Sequence, residues 1–113
     1  MHEFAITKSM LDLVLGEAER VGAKEIRKID LVIGKMSGVV DDCVQFYFDF
    51  LSKGTIAERA FLSFKMVPTT ARCHGCDKLF EPKEFDWTCP SCGSDRMEIV
   101  AGNELFVESI EVE

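Results

Sequence analysis

The sequence predicts an α+β fold: a small three-stranded β-sheet with two helices packed on it, in the order α-β-α-β-[cysteine module]-β. Three observations carry this. Apolar residues recur at three- and four-residue intervals near the start of the chain. The period then changes to two in three later stretches. Two Cys-x-x-Cys pairs stand between the last two of those stretches, so the module that holds them is an insertion between strands of one sheet.

The first helix follows directly on Met1-His2-Glu3. Ile6, Met10, Leu13, Val14, Ala18 and Val21 form its apolar stripe, and Gly22 is the expected stop. From Ile26 to Ile33 the alternation of Ile29, Leu31 and Ile33 with Lys28, Asp30 and Val32 reads as a half-buried strand. Gly34 and Gly38 bracket a turn. A second helix runs from about Asp41 to Lys53, with Asp41 or Asp42 as cap and Gly54 as stop. It carries Val44, Phe46, Tyr47, Phe48, Phe50 and Leu51, and Cys43 in its first turn reads as a small buried hydrophobe. The second strand spans roughly Ala60 to Val67, with Leu62, Phe64 and Met66 on one face. The last runs from about Glu104 to Val112, with Leu105 and Val107 on one face and Phe106, Ile110 and Val112 on the other.

The inserted module reads Cys73-His-Gly-Cys76, twelve residues, then Cys89-Pro-Ser-Cys92-Gly93. A two-residue gap lets both sulfurs of a pair turn inward from one tight turn, and the loop brings the second turn to face the first. Four thiolates so placed fill the tetrahedral sphere of Zn(II) and leave no position for a water or substrate. The expected metal is therefore structural zinc on Cys73, Cys76, Cys89 and Cys92. Gly75 and Gly93 suit a left-handed or crowded backbone at the two turns. The module's expected core is Leu79, Phe80, Phe85 and Trp87, too little to fold without a metal worth about 10–16 kcal/mol. Residues 1–69 plus 101–113 then form one domain and 70–100 a zinc-binding domain.

Composition narrows the function. The chain has 113 residues, 47% hydrophobic and 29% charged, with a net charge of −7. No apolar run approaches the roughly 20 residues of a membrane span, and the start does not read as a signal peptide, so the cytoplasm is the expected compartment. Nucleic-acid binding needs a basic surface, and the cysteine module is close to charge-balanced. No phosphate loop or nucleophile–base pair has a recognisable spacing, which argues against an enzyme. The acidic pairs Asp41–Asp42 and Glu17–Glu19 are candidates for docking a partner, against a reading as plain solvated helix faces.

Met1-His2-Glu3 is a second candidate metal site. A free terminal amine, the amide nitrogen of His2 and Nδ1 of its ring can close fused chelate rings on one ion, with the Glu3 amide as a fourth nitrogen. Planar nitrogen coordination favours Ni(II) or Cu(II) over zinc. The Glu3 carboxylate is an alternative oxygen ligand or a hydrogen-bonding support. On the residues alone, an inert frayed terminus is the competing reading.

Met-His-Glu at the N-terminus, Gly54-Thr55-Ile56, the two Cys-x-x-Cys pairs and Gly102-Asn-Glu-Leu105 together resemble the HypA/HybF family of nickel-insertion accessory proteins. The resemblance spans essentially the whole chain. It implies a nickel metallochaperone that takes Ni(II) as transient cargo on Met1, His2 and Glu3 and holds structural Zn(II) on the four cysteines. It also implies a HypB-like GTPase partner, the [NiFe]-hydrogenase large-subunit precursor as recipient and, in some bacteria, urease maturation proteins. Some relatives carry histidines just after the cysteine pairs; here Asp77 and Gly93 stand there, and His74 is the one histidine near the cysteines. The reading from a different class is a zinc-ribbon adaptor that binds protein or nucleic acid and has no nickel role.

Overall fold

A computed structural model describes residues 2–83 and 85–113. Helix α1 (Glu3–Arg20) buries Met10, Leu11, Val14 and Ala18. Leu13, assigned by spacing to this face, is 62% exposed. At about 100° per residue Leu13 lies roughly 110° round from the centre of the buried face, whereas Leu11 lies roughly 50° from it. Val21 is exposed because it caps the helix rather than continuing it. The stop is a Schellman turn: the Ala23 N–H donates to the Ala18 carbonyl, the Gly22 N–H to Glu19, and Gly22 takes a positive φ of 70°.

Strand β1 (Ile26–Gly34) is the centre of the sheet. It pairs parallel with β2 (Phe61–Val67) and antiparallel with β6 (Leu105–Val112), giving the order β2-β1-β6. Being central, it is not simply half-buried. Val32, on the face away from the helices, is buried beside its register neighbours Lys65 and Phe106. The parallel pairing is made by the crossover through α2 (Asp41–Leu51). One apolar cluster joins α1, α2 and the sheet through Met10, Val14, Phe48, Ile29, Ile33 and Leu62.

Three expectations for these elements are corrected. Neither Asp41 nor Asp42 caps α2; the cap is Val40, and both acids sit in the first turn. Cys43, expected to be a small buried hydrophobe, faces solvent, as do Phe46 and Phe50; of the aromatic residues on α2 only Phe48 is fully buried. In β6 the register shifts so that Asp30 faces Ser109 but Leu31 faces Val107, leaving Glu108 unpaired. That bulge turns Val107 and Ile110 to the same, core-facing side, where strict alternation would separate them.

The cysteine module has its own three-stranded sheet, order β4-β3-β5, from β3 (Thr70–Cys73), β4 (Leu79–Phe80) and β5 (Met97–Ala101). Its core is Ala71, Cys73, Phe80 and Cys89, with Met97 and Ile99 against it. Leu79, Phe85 and Trp87 do not join this core: all three are exposed, Phe85 at 94%. Successive residues of a strand point to opposite faces, so Phe80 turns in and Leu79 turns out.

The two sheets meet where β1 ends and β6 begins. The Gly34 N–H donates to the Glu104 carbonyl at 2.7 Å and the Met36 N–H to the Gly102 carbonyl at 2.8 Å. The molecule is drawn out, 55 × 25 × 17 Å with a radius of gyration of 17.8 Å, against about 13 Å for one compact domain of this length. A Cβ on Gly34 would stand 2.0 Å from the Gly102 carbonyl oxygen. Gly34→Ala is therefore expected to lower stability by roughly 3 kcal/mol in chemical denaturation. Gly16→Ala, at an exposed site inside α1 with nothing within 4 Å, should instead raise it by about 0.5–1 kcal/mol.

Candidate metal centres

The two cysteine turns of the module share one local conformation. In the first, the Asp77 N–H donates to the Cys73 carbonyl at 2.9 Å and the Cys73 N–H to the Lys78 carbonyl at 2.9 Å. In the second, the Gly93 N–H donates to the Cys89 carbonyl and the Cys89 N–H to the Ser94 carbonyl, both at 2.8 Å. The residue after each pair has positive φ, 63° at Asp77 and 75° at Gly93. Glycine takes that conformation freely, and Asp is among the few other residues that tolerate it. The glycine rule found Gly93 and missed Asp77; aligning the two turns on their second cysteines would have found both. Gly75, expected at a left-handed or crowded backbone, is neither: its φ is not positive, and a Cβ there would make only ordinary contacts, 3.4 Å from the Cys92 sulfur and 3.5 Å from that of Cys73.

These turns bring the four sulfurs within 4.8 Å of one another. Cys73 Sγ and Cys92 Sγ are 3.5 Å apart, and Cys76 Sγ and Cys89 Sγ 3.6 Å. A disulfide needs about 2.05 Å, and all five cysteines are free. A tetrahedron with metal–sulfur arms of ~2.3 Å needs sulfurs ~3.8 Å apart, so the donor set and spacing fit a thiolate-bound metal. Cys73 and Cys89 are buried and Cys76 and Cys92 exposed, one of each from either turn.

The thiols do not ionise alike. The backbone N–H groups of Cys92 and Ser91 hold the Cys89 thiol down at about 6, against the effect of burial. The backbone N–H of Cys76, joined by that of Gly75, also lowers Cys73. Cys92 receives a backbone N–H from Ser94, yet the neighbouring Cys73 sulfur pushes it up to about 12. Cys76 receives one from Lys78 and is still raised, by Cys89. One sulfur of each close pair takes the negative charge and its neighbour resists it. A divalent cation among them removes that conflict.

His74 lies between the two ligands of the first turn, exposed, with its N–H on the Arg96 carbonyl at 2.9 Å. It is not among the four groups that converge.

At the other end, Met1 lies outside the described residues. His2 is the N-terminal cap of α1 and is exposed. Its carbonyl accepts the first helical bond, from the Ile6 N–H at 2.9 Å. Glu3 is buried, and its carboxylate accepts the Val40 N–H at 3.2 Å, the backbone amide of the residue that caps α2. Its carbonyl also accepts the Thr7 hydroxyl at 2.6 Å. The Glu3 carboxylate thus supports the fold and is turned to α2. The Glu3 amide, in the first turn of α1, belongs to the donors that a helix leaves without an internal partner. Val40 was the contributor that sequence reasoning missed. A backbone amide on a valine has no side-chain signature.

Residues 1–112 match the family described as "Hydrogenase/urease nickel incorporation, metallochaperone, hypA". The chain belongs to the HypA family. The curated "Hydrogenase maturation factor HypA" of Dehalococcoides mccartyi strain 195 is 43% identical over 113 residues, covering 100% of this chain and 95% of that protein. The protein of the same description from Caldanaerobacter subterraneus subsp. tengcongensis is 40% identical over 114 residues, with 100% of both covered. Among solved structures, that of the Ni metallochaperone HypA from Helicobacter pylori superposes with a TM-score of 0.67 at 24% identity, over 99% of this chain and 97% of that one. A second HypA solution structure gives 0.74 at 24% identity, over 100% and 97%. These two show the shared fold. The HypA family is one of nickel metallochaperones for hydrogenase maturation, and this chain combines its α+β fold with a four-cysteine metal site.

Two outcomes follow from the geometry. Cys89→Ser should remove about one equivalent of bound metal and expose the β3 and β5 amides to hydrogen exchange while β1 stays protected. Glu3→Ala should cost roughly 1–3 kcal/mol and speed exchange at the Val40 amide. Glu3→Gln, which keeps an acceptor there, should recover most of both.

Proposed function

We propose that this chain binds Ni(II) through Met1, His2 and Glu3 and delivers it for [NiFe]-hydrogenase maturation, while Zn(II) stays on Cys73, Cys76, Cys89 and Cys92. The observation that carries the nickel reading is the division of labour at the start of α1. His2 keeps an exposed side chain, the Glu3 carboxylate is engaged by Val40, and the first-turn amides lack helical acceptors. What remains for a metal is nitrogen: the terminal amine, the His2 amide and ring, and the Glu3 amide. That set matches the preference of Ni(II) for planar nitrogen ligands. Each of these nitrogens binds a proton in competition with the metal, so the ion is released as pH falls. A carrier needs that reversibility.

The zinc assignment rests on the donors: four soft thiolates at tetrahedral spacing select zinc and close its sphere. Residues 1–69 plus 101–113 then make a nickel-binding helix and sheet domain, and 70–100 a zinc-binding domain. The partners are a HypB-like GTPase, the hydrogenase large-subunit precursor and, where urease is made, its maturation proteins. The compartment is the cytoplasm, where thiols stay reduced and free for zinc. Among the described residues no helix is long and apolar enough to cross a membrane.

Nickel titration of the zinc-loaded protein tests the reading. Binding should reach about one equivalent with zinc still in place. His2→Ala, and separately one residue added before Met1, should abolish nickel uptake and leave zinc untouched. Undiminished nickel affinity in both variants would remove the N-terminal site.

A further inference from the structure

Helix α2 has a second apolar face. Val44, Phe48 and Leu51 turn to the core, as an amphipathic helix requires. The rest of the helix should be polar, yet one flank of it carries Cys43, Phe46, Tyr47 and Phe50, at intervals of three, four and seven residues. Phe46 is 69% and Phe50 65% exposed. Phe4 of α1, also half-exposed, extends the patch. Its ring meets Tyr47 edge-on with centroids 5.4 Å apart, and Tyr47 meets Phe46 at 5.4 Å in the same manner. Phe4, Phe46, Tyr47 and Phe50, with Asp49 and Lys53 at the rim, line an open cleft of about 580 Å³.

The charges around the cleft state what it fits. Asp41 and Asp42 suit the N-terminal turn of α2, where the helix dipole favours acids. Asp49 does not have that excuse. It stands near the C-terminal end, where the dipole disfavours a negative charge, and its hydrogen-bond partner is the neutral Gln45 at 2.8 Å. Among the described residues no cation pairs with Asp41, Asp42 or Asp49. By contrast Glu17, on the acidic face of α1, is already paired with Arg20. Among the described residues, one flank of the stripe thus carries Asp42 and Asp49, seven residues apart and both without a cation, and the cleft's single rim cation is Lys53.

We infer that this cleft docks an amphipathic helix of a partner protein, one that lays leucine-like side chains along Cys43–Phe50 and presents Lys or Arg to Asp42 and Asp49. The stripe is seven residues long, about 10 Å or two helical turns, the span of a helix-in-groove contact. Phe4 is two residues from His2, so a helix seated here lies beside the N-terminal nickel site. The inference deepens the carrier reading in naming where the recipient of that site approaches, but its test is independent of nickel.

The probe is a designed Leu/Lys amphipathic peptide, with a Leu/Glu peptide of the same pattern as control, titrated into the zinc-loaded protein by NMR. The Leu/Lys peptide should shift amides of α2 and the first turn of α1, and the Leu/Glu peptide should not. Phe46→Ser with Phe50→Ser should weaken binding at least ~10-fold. Both positions are exposed, so the fold and the nickel stoichiometry should survive. Asp49→Lys should reduce binding of the Leu/Lys peptide and admit the Leu/Glu one. His2→Ala should abolish nickel uptake and leave peptide binding intact, which separates the two readings. The inference is overturned if the shifts fall elsewhere, if the double serine variant binds equally well, or if sedimentation shows a dimer that the double serine variant dissolves. That last result would make the occupant a second copy of the chain.

Discussion

The close approach of Gly34 to Gly102 is the constraint on which the rest of the molecule is arranged. Two segments distant in sequence, the end of the central strand and the exit from the cysteine module, touch backbone to backbone there. No side chain fits between them. Their two hydrogen bonds fix where β6 enters the sheet beside β1, and hence where the inserted module projects. They also fix where the chain turns after β1, since Met36 of the following 3-10 turn donates to Gly102. From that turn the path runs through Gly38, left-handed at φ 76°, to Val40 and the start of α2.

Much of this was legible in the sequence because hydrophobic period and turn residues act locally. The stripe Met10–Val14–Ala18 and the stop at Gly22 placed α1. Alternation placed β1 and β2, and the cysteine spacing placed the metal module. The misreadings have a common cause in effects set by distant chain. Whether Leu13 or Leu11 is buried depends on which side of α1 the sheet occupies. The Glu108 bulge depends on register against β1, and no spacing within β6 reveals it. Phe85 and Trp87 look like core residues by type, but a sheet with strands of two to five residues offers too little surface to cover them. The direction of the Glu3 side chain was beyond reach for the same reason. Its partner is a backbone amide thirty-seven residues away.

The two candidate metal centres are built on opposite principles. The cysteine centre takes its ligands from two matching turns, each tied by a pair of backbone hydrogen bonds, and its thiols compete for charge until a cation neutralises them. Such a site is rigid and closed. The proposed N-terminal site would take its nitrogens from the open end of a helix, where amides are unpartnered because the helix begins there. Rigidity suits a metal that stays, and an exposed chelate suits one that must leave.

A carrier's open site has a cost: a chelate on a frayed terminus would be presented in no fixed place. Glu3 answers that by tying the first turn of α1 to the cap of α2, and the Phe4–Tyr47 contact repeats the tie one residue further on. The first turn of α1 is thereby referenced to α2. Because the outer face of that same helix is apolar, with Asp49 and Lys53 at its rim, the proposed cargo site and the cleft lie side by side. On the proposed reading, a partner that seats on α2 would meet the metal at a defined position, and that would convert a surface chelate into a site of transfer.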